Sequence, residues 1–364
     1  MDLDPTDDQQ AVIDLAARIC DDLSNADRLR TLEQAGAHHH DELWTALAAA
    51  DLIGLTLPEA DGGAGFGLVE AALVAEVLGR HVAPVPYLEV VAAGRALARA
   101  GHSLAERVAA GSIVVPALRE GPDAAEVRVP STTAVADGDT WRIEGTKRLI
   151  SGGAVADHFV VSATIDGTAG RVPALFVVSA EGLPSTDSVS TAGQILRSVE
   201  LDGVTATRVD GDGQTSLAHE LRVLRCALLA GISDGALQLT ARHASDRHQF
   251  GSPIGTFQAV AHRLADAWLD VTIVTNTARQ AAWRTDNDLP AEQATASAAL
   301  WACEGSQRVV HAAQHVHGGI GVDLDYPVHR YFRWAKDVEL QLGGAGRAAR
   351  DLGDAVASEP LTIG

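Results

Sequence analysis

The sequence predicts an α+β chain in three consecutive parts: a helical domain at residues 1–111, an antiparallel β domain at 112–212 and a helical bundle at 213–364. Three observations carry that reading. Apolar residues recur at helical spacing before Gly111 and after Gly213. Short β-branched runs broken by Gly, Asp and Pro fill the stretch between. Ala, Leu and Val dominate both faces of the last helices. With 364 residues, 46% of them hydrophobic and 21% charged, the chain can bury a large core, so disorder is not expected.

Taken in order, Val12, Leu15, Ala16, Ile19 and Leu23 fall on one face of a first helix. A second, Asp41 to Leu52, turns Leu43, Leu47 and Ala50 inward. Between it and a helix from Leu68 to Leu78 lies Leu57-Pro58-Glu59-Ala60-Asp61-Gly62-Gly63-Ala64-Gly65-Phe66-Gly67, whose Pro and Gly content makes it a loop. Ile113-Val114-Val115, Trp141-Arg142-Ile143, His158-Phe159-Val160-Val161 and Ala174-Leu175-Phe176-Val177-Val178 read as strands of a barrel or sandwich. Ala136-Asp137-Gly138-Asp139-Thr140 suits a hairpin turn. Beyond Gly213, one stripe runs Leu264, Trp268, Val271, Ala278, Ala282 and another Ala294, Ala298, Trp301, Val309, Ala312, separated by residues 286–290.

A net charge of −20 argues against nucleic acid or an anionic membrane as partner, and a polyanionic ligand would need a local basic patch. Cys20, Cys226 and Cys303 lie far apart and read as buried thiols in a reducing compartment. The first ten residues carry four aspartates and no apolar stretch, so no signal peptide is expected. No apolar run approaches the ~20 residues that span a bilayer, which makes the cytoplasm the expected location. His38-His39-His40 is expected to be a solvated run and not a metal site, because consecutive side chains point apart. Trp44, Trp268, Trp283, Trp301 and Trp334 are expected in the core.

Four local motifs carry chemistry. The first is Leu55-Thr56-Leu57-Pro58-Glu59 followed by Gly62-Gly63-Ala64-Gly65, and the second is Gly145-Thr146-Lys147-Arg148-Leu149-Ile150-Ser151-Gly152-Gly153. The third, Arg247-His248-Gln249-Phe250-Gly251-Ser252-Pro253-Ile254-Gly255, offers a planar guanidinium fit for a pyrophosphate and an aromatic ring beside it; Arg247 could instead pair with a nearby Asp. The fourth, Gln314-His315-Val316-His317-Gly318-Gly319-Ile320-Gly321, joins a donor–acceptor amide to glycines that admit close backbone approach, or that only cap a helix.

The order of parts with these motifs resembles the acyl-CoA dehydrogenase family over nearly the whole chain. The resemblance implies a C-terminal four-helix bundle, FAD as cofactor and an acyl-CoA thioester as substrate, oxidised at its α,β bond. It implies cofactor-binding roles for Arg247, Phe250, Gln314, Gly318, Gly319 and Ser151, with the first five reaching a flavin seated on a neighbouring subunit. A glutamate in that family removes the α-proton.

Here the sequence departs. Leu342 stands where the glutamate would be. The position some relatives use instead, on an early helix of the bundle, is Leu221, adjacent to Glu220 and about 100° away on a helix. Glu220 and Glu339 are the remaining weak candidates, with solvated helix charges the plainer reading of both. The family's Thr-Glu-Pro-Gly loop is replaced by Val115-Pro116-Ala117-Leu118-Arg119-Glu120-Gly121-Pro122-Asp123, and Leu149 replaces an aromatic residue. The chain is thus similar to the base-less subunit of heterotetrameric (α2β2) acyl-CoA dehydrogenases of steroid side-chain oxidation. That likeness implies a catalytic partner subunit and electron-transfer flavoprotein as acceptor. The alternatives are a stand-alone enzyme with a relocated base, Glu220 or Glu339, and a flavin-free structural subunit.

Overall fold

The computed structural model describes residues 4–121, 129–167, 170–211 and 213–358; Pro122 and Asp123 of the altered loop lie outside them. The helices α1 (Asp7–Leu23), α2 (Ala26–Gln34), α3 (Asp41–Ala49), α4 (Leu68–Arg80), α5 (Tyr87–Arg99) and α6 (Leu104–Ala109) come first. Then follow β1 (Val114–Ala117), β2 (Thr133–Asp137), β3 (Thr140–Ser151), β4 (His158–Gly167), β5 (Gly170–Ser179), β6 (Ser185–Val189) and β7 (Ile195–Val209). After α7 (Gly213–Asp246) come the short β8 (His248–Gln249) and β9 (Ser252–Pro253), then α8 (Gln258–Asp286), α9 (Glu292–His317), α10 (Val328–Gln341) and α11 (Gly344–Ser358). The helix–strand–helix order is the one the sequence predicts. The chain forms two compact units, one of residues up to 36, 68–83 and from 222 onward, the other of 37–67 and 84–221.

In the first unit, small residues let helices approach. A side chain at Gly79 of α4 would run into the backbone at Leu228, and one at Gly231 of α7 into the backbone at Glu76. The buried face of α8 is Ala267, Val271, Val274, Ala278, Ala281 and Ala282. Trp268 is not on it: the side chain is 60% exposed, against expectation, beside Leu269 at 53%. Ion pairs cross the bundle, with Arg279 on Glu76 at 2.6 Å and Arg330 on Glu33 at 2.8 Å. Asp286, ending α8, accepts from the first amides of α4, Leu68 and Val69, both at 2.8 Å, and so caps that helix from afar. The apolar length of α7 would suffice to cross a membrane, but 83% of that window is buried inside the protein.

The second unit is built on one sheet in the order β1-β4-β2-β3-β7-β5, with β6 on β7 and a further β4–β5 pairing. Strands β4, β2, β3, β7 and β5 therefore close on themselves. Most pairings are antiparallel; β4 runs parallel to β1 and to β2. The expected hairpin is present, with Gly138 at φ 62° in the two-residue turn between β2 and β3. The histidine run is not solvated as expected. His40 is 4% exposed, and its Nδ1 accepts from Leu43 N as the cap of α3. His39 is half-buried against Trp44, while exposed His38 lies 2.6 Å from the Gly193 carbonyl.

Candidate functional site

The third motif forms a tight hairpin at the end of α7. β8 and β9 pair through His248–Pro253 and Gln249–Ser252, and Phe250 and Gly251 at its tip have φ of 53° and 82°. Left-handed backbone suits Gly251 but strains an aromatic residue, and such strain marks functional positions. Phe250 is 95% exposed, touched edge-on by Phe257 at 6.3 Å. Arg247 is exposed and makes no side-chain hydrogen bond or ion pair among the described residues, so the alternative of a helix-end Asp partner is not realised.

The fourth motif ends α9. Gly318, at φ 62°, is its C-cap, and added side chains at Gly318 or Gly319 would meet nothing within 4 Å. Gly321 is different, because a side chain there would strike the Gln314 amide oxygen. That oxygen and the Nε2 of His317 are buried without a hydrogen-bond partner among the described residues. The two motifs meet through α7 and α9: the ring of His243, one turn before Arg247, stacks on His317 with centroids 4.4 Å apart. This corner thus presents an unpaired guanidinium, an exposed ring and open glycine backbone, a set that fits an anionic ligand with an apolar group attached.

In the other unit, the second motif lies on β3, where register with β7 slips between Lys147 and Ile150. Leu149 sits in the slip at φ 53°, its amide donating to Ser198 Oγ at 3.1 Å. Ser151 is half-buried, opposite Leu196. Just before the slip, Lys147 is 0% exposed and donates to Glu120 at 2.7 Å and to Ser162 Oγ at 3.0 Å. Glu120 also accepts from the amides and hydroxyls of Ser131 and Thr132 at 2.6–3.0 Å. Burial opposes the Glu120 charge, yet Lys147 and these donors outweigh it and hold the carboxyl down at about 2. Burial pushes Lys147 down to about 8 against the pull of Glu120.

No group in the expected places is free to take a proton. Leu342, the C-cap of α10, is buried at 7% exposure and carries only an alkyl side chain. Glu220 is not a solvated helix charge: it is 3% exposed and accepts from Arg95 Nε at 3.0 Å and from Arg99 at 2.7 and 3.3 Å. Glu339, half-buried, pairs with Lys336 at 2.8 Å. Both carboxylates are thus already committed to cations. Among the described residues no cluster of His, Cys, Asp or Glu could hold a metal, and the cysteines are free and buried, their thiols pushed up to about 12 by burial.

Sequence reasoning finds the motif residues but misses His243 and the Glu120–Lys147 pair. Lys147 stands inside a motif, yet an ion pair between residues so far apart along the chain leaves no local pattern.

Residues 6–112 match the acyl-CoA dehydrogenase N-terminal domain, and 212–352 match the acyl-CoA dehydrogenase C-terminal domain. Acyl-CoA dehydrogenase FadE27 of Mycobacterium tuberculosis is 36% identical over 99% of this chain and 100% of its own length. Among solved structures, one chain of the ChsE4-ChsE5 complex from Mycobacterium tuberculosis superposes with a TM-score of 0.91 at 37% identity, covering 99% of this chain and 100% of that one. A chain from a variant of the Tcur3481-Tcur3483 steroid ACAD gives 0.90 at 39%, covering 96% and 98%. Members of the family are FAD flavoproteins that oxidise acyl-CoA. By its sequence along nearly its whole length and by its fold, the chain belongs to the acyl-CoA dehydrogenase family.

Proposed function

We propose that this chain is the base-less subunit of a heteromeric, α2β2 acyl-CoA dehydrogenase, active in complex with a catalytic partner whose FAD site it completes. The observation that carries the reading is a contrast. Leu342, an alkyl side chain, stands where the family resemblance would put a proton-abstracting glutamate, while Arg247 and Phe250 stand exposed and uncommitted. A steroid side-chain CoA ester is the proposed substrate, supported by the likeness to a steroid ACAD complex, with electron-transfer flavoprotein as acceptor and the cytoplasm as location. The division into domains 1–111, 112–212 and 213–364 belongs to the same proposal.

When bound, FAD supplies the acceptor for the hydride that leaves the β-carbon. This chain's part is binding and orientation. Arg247 would hold the pyrophosphate, for which its planar set of N–H donors is suited, and Phe250 would cover an apolar part of the cofactor. Gln314 and the open backbone of Gly318 and Gly319 receive the adenosine half, and the Ser151 hydroxyl lines what remains of the chain's own flavin loop. The partner brings the base.

Visible spectra test this. Purified alone, the chain is expected to be colourless; co-purified with its partner, the complex should carry about one FAD per pair of chains. Arg247→Ala should then strip flavin from the complex. A yellow chain that reduces a dye with acyl-CoA unaided would overturn the assignment. A stand-alone enzyme is not favoured, because both remaining carboxylates are held by cations.

A further inference from the structure

His243 closes the last turn of α7, and its carbonyl accepts from Arg247 N at 2.9 Å, so its backbone is part of the turn that carries the guanidinium. His317 is the last residue of α9, immediately before Gly318. The rings stack at 4.4 Å with 24° between planes, and Tyr326 covers both, 5.2 Å from His317 and 6.2 Å from His243. No other ring stack among the described residues joins the third and fourth motifs.

We infer that the His243–His317 stack is a brace that holds the Arg247–Phe250 turn in register with the Gln314–Gly319 turn, and that protonating either ring releases it. The inference rests on the dinucleotide reading proposed above. His317 Nδ1 lies 2.8 Å from the Ala313 carbonyl, an acceptor, so Nδ1 carries the ring proton. Nε2, buried without a partner, is then a lone pair. A second proton there would be an N–H with no acceptor, on a residue 6% exposed and face to face with another imidazole. The titratable and charged groups around the stack come from Arg242 and Asp246 of α7 with Arg247 just after it, His317 itself on α9, and Tyr326 beyond it.

These surroundings set the direction. Burial lowers the basicity of both rings; Arg247 adds to this at His243 against Asp246, and His243 adds to it at His317 against the Ala313 carbonyl. Folded affinity for protons is therefore below that of the unfolded chain, so the brace is fully present above the ordinary histidine range and is lost as pH falls below that range through the lowered folded values.

The test measures FAD affinity of the partner-bound complex by flavin fluorescence between about pH 5.5 and 8, with thermal unfolding as the folding check. Wild type is expected to weaken about tenfold on acidification. The double variant His243→Phe/His317→Phe keeps two stacked rings with no titrating group between them, so it should match wild type at neutral pH and stay flat in acid. His243→Ala should weaken binding about three- to tenfold at neutral pH, the range expected for losing an aromatic pair. If the double variant weakens with acid as wild type does, or if a folded His243→Ala binds as tightly as wild type, the brace is overturned. Arg247→Ala separates the two readings: unchanged flavin binding in that variant sinks the dinucleotide site itself, whereas lost binding with inert His243 variants sinks only the brace.

Discussion

Phe250 and the Glu120–Lys147 pair illustrate opposite uses of a single side chain. At 95% exposure in a strained turn, Phe250 contributes almost nothing to folding. Phe250→Ala should leave the melting temperature within about 2 °C, as surface changes generally do, while lowering the flavin content of the complex. Glu120 and Lys147 are the reverse, committed to holding the chain ahead of the slip that carries Leu149 and Ser151. Glu120→Gln leaves the buried Lys147 ammonium without its counter-charge and should cost about 3–5 kcal/mol in chemical denaturation. The folded carboxyl sits near 2, below the ordinary value of 4.5, so its contribution is complete above 4.5 and is lost as pH falls toward 2. Stability of wild type should fall across that window in urea titrations, and that of Glu120→Gln should be flatter there.

Between elements, the helix crossings depend on absent side chains. Gly231→Ala places a methyl group against the Glu76 backbone, and overpacking of this kind costs about 1–3 kcal/mol. Asp286→Ala removes the carboxylate that caps α4 and should cost about 1 kcal/mol by denaturant midpoint. The helices themselves are legible in the sequence, since Val271, Ala278 and Ala282 do face inward as the periodicity requires. Trp268 escapes the periodicity because α8 is apolar on more than one face. There the 3.6-residue period names a stripe without saying which stripe is buried, and the true one is centred on Ala267, Val271 and Val274. The His38–His40 run departs from expectation for a related reason: a cap is defined by backbone geometry that composition does not encode. The hairpin at Gly138 is readable because turn chemistry is local.

For the whole molecule, the site divides in the same way. Arg247, Phe250, Gln314, Gly318 and Gly319 are readable from contiguous motifs, whereas His243 gains meaning only when α7 and α9 bring two histidines into one stack. If the chain completes a partner's flavin site as proposed, addition of that partner to the chain and free FAD should produce a flavin spectrum that neither the chain nor FAD-free partner gives alone. The double guanidinium grip on Glu220 has a bearing on where a proton acceptor could be added. A mutation that placed a new acid at the buried Leu221 would arise next to a carboxylate that already holds both Arg95 and Arg99. A second acid buried on this helix would lack a cation of its own, and an unpaired buried charge is strongly destabilising, so a new proton acceptor at this point would come at a cost in folding.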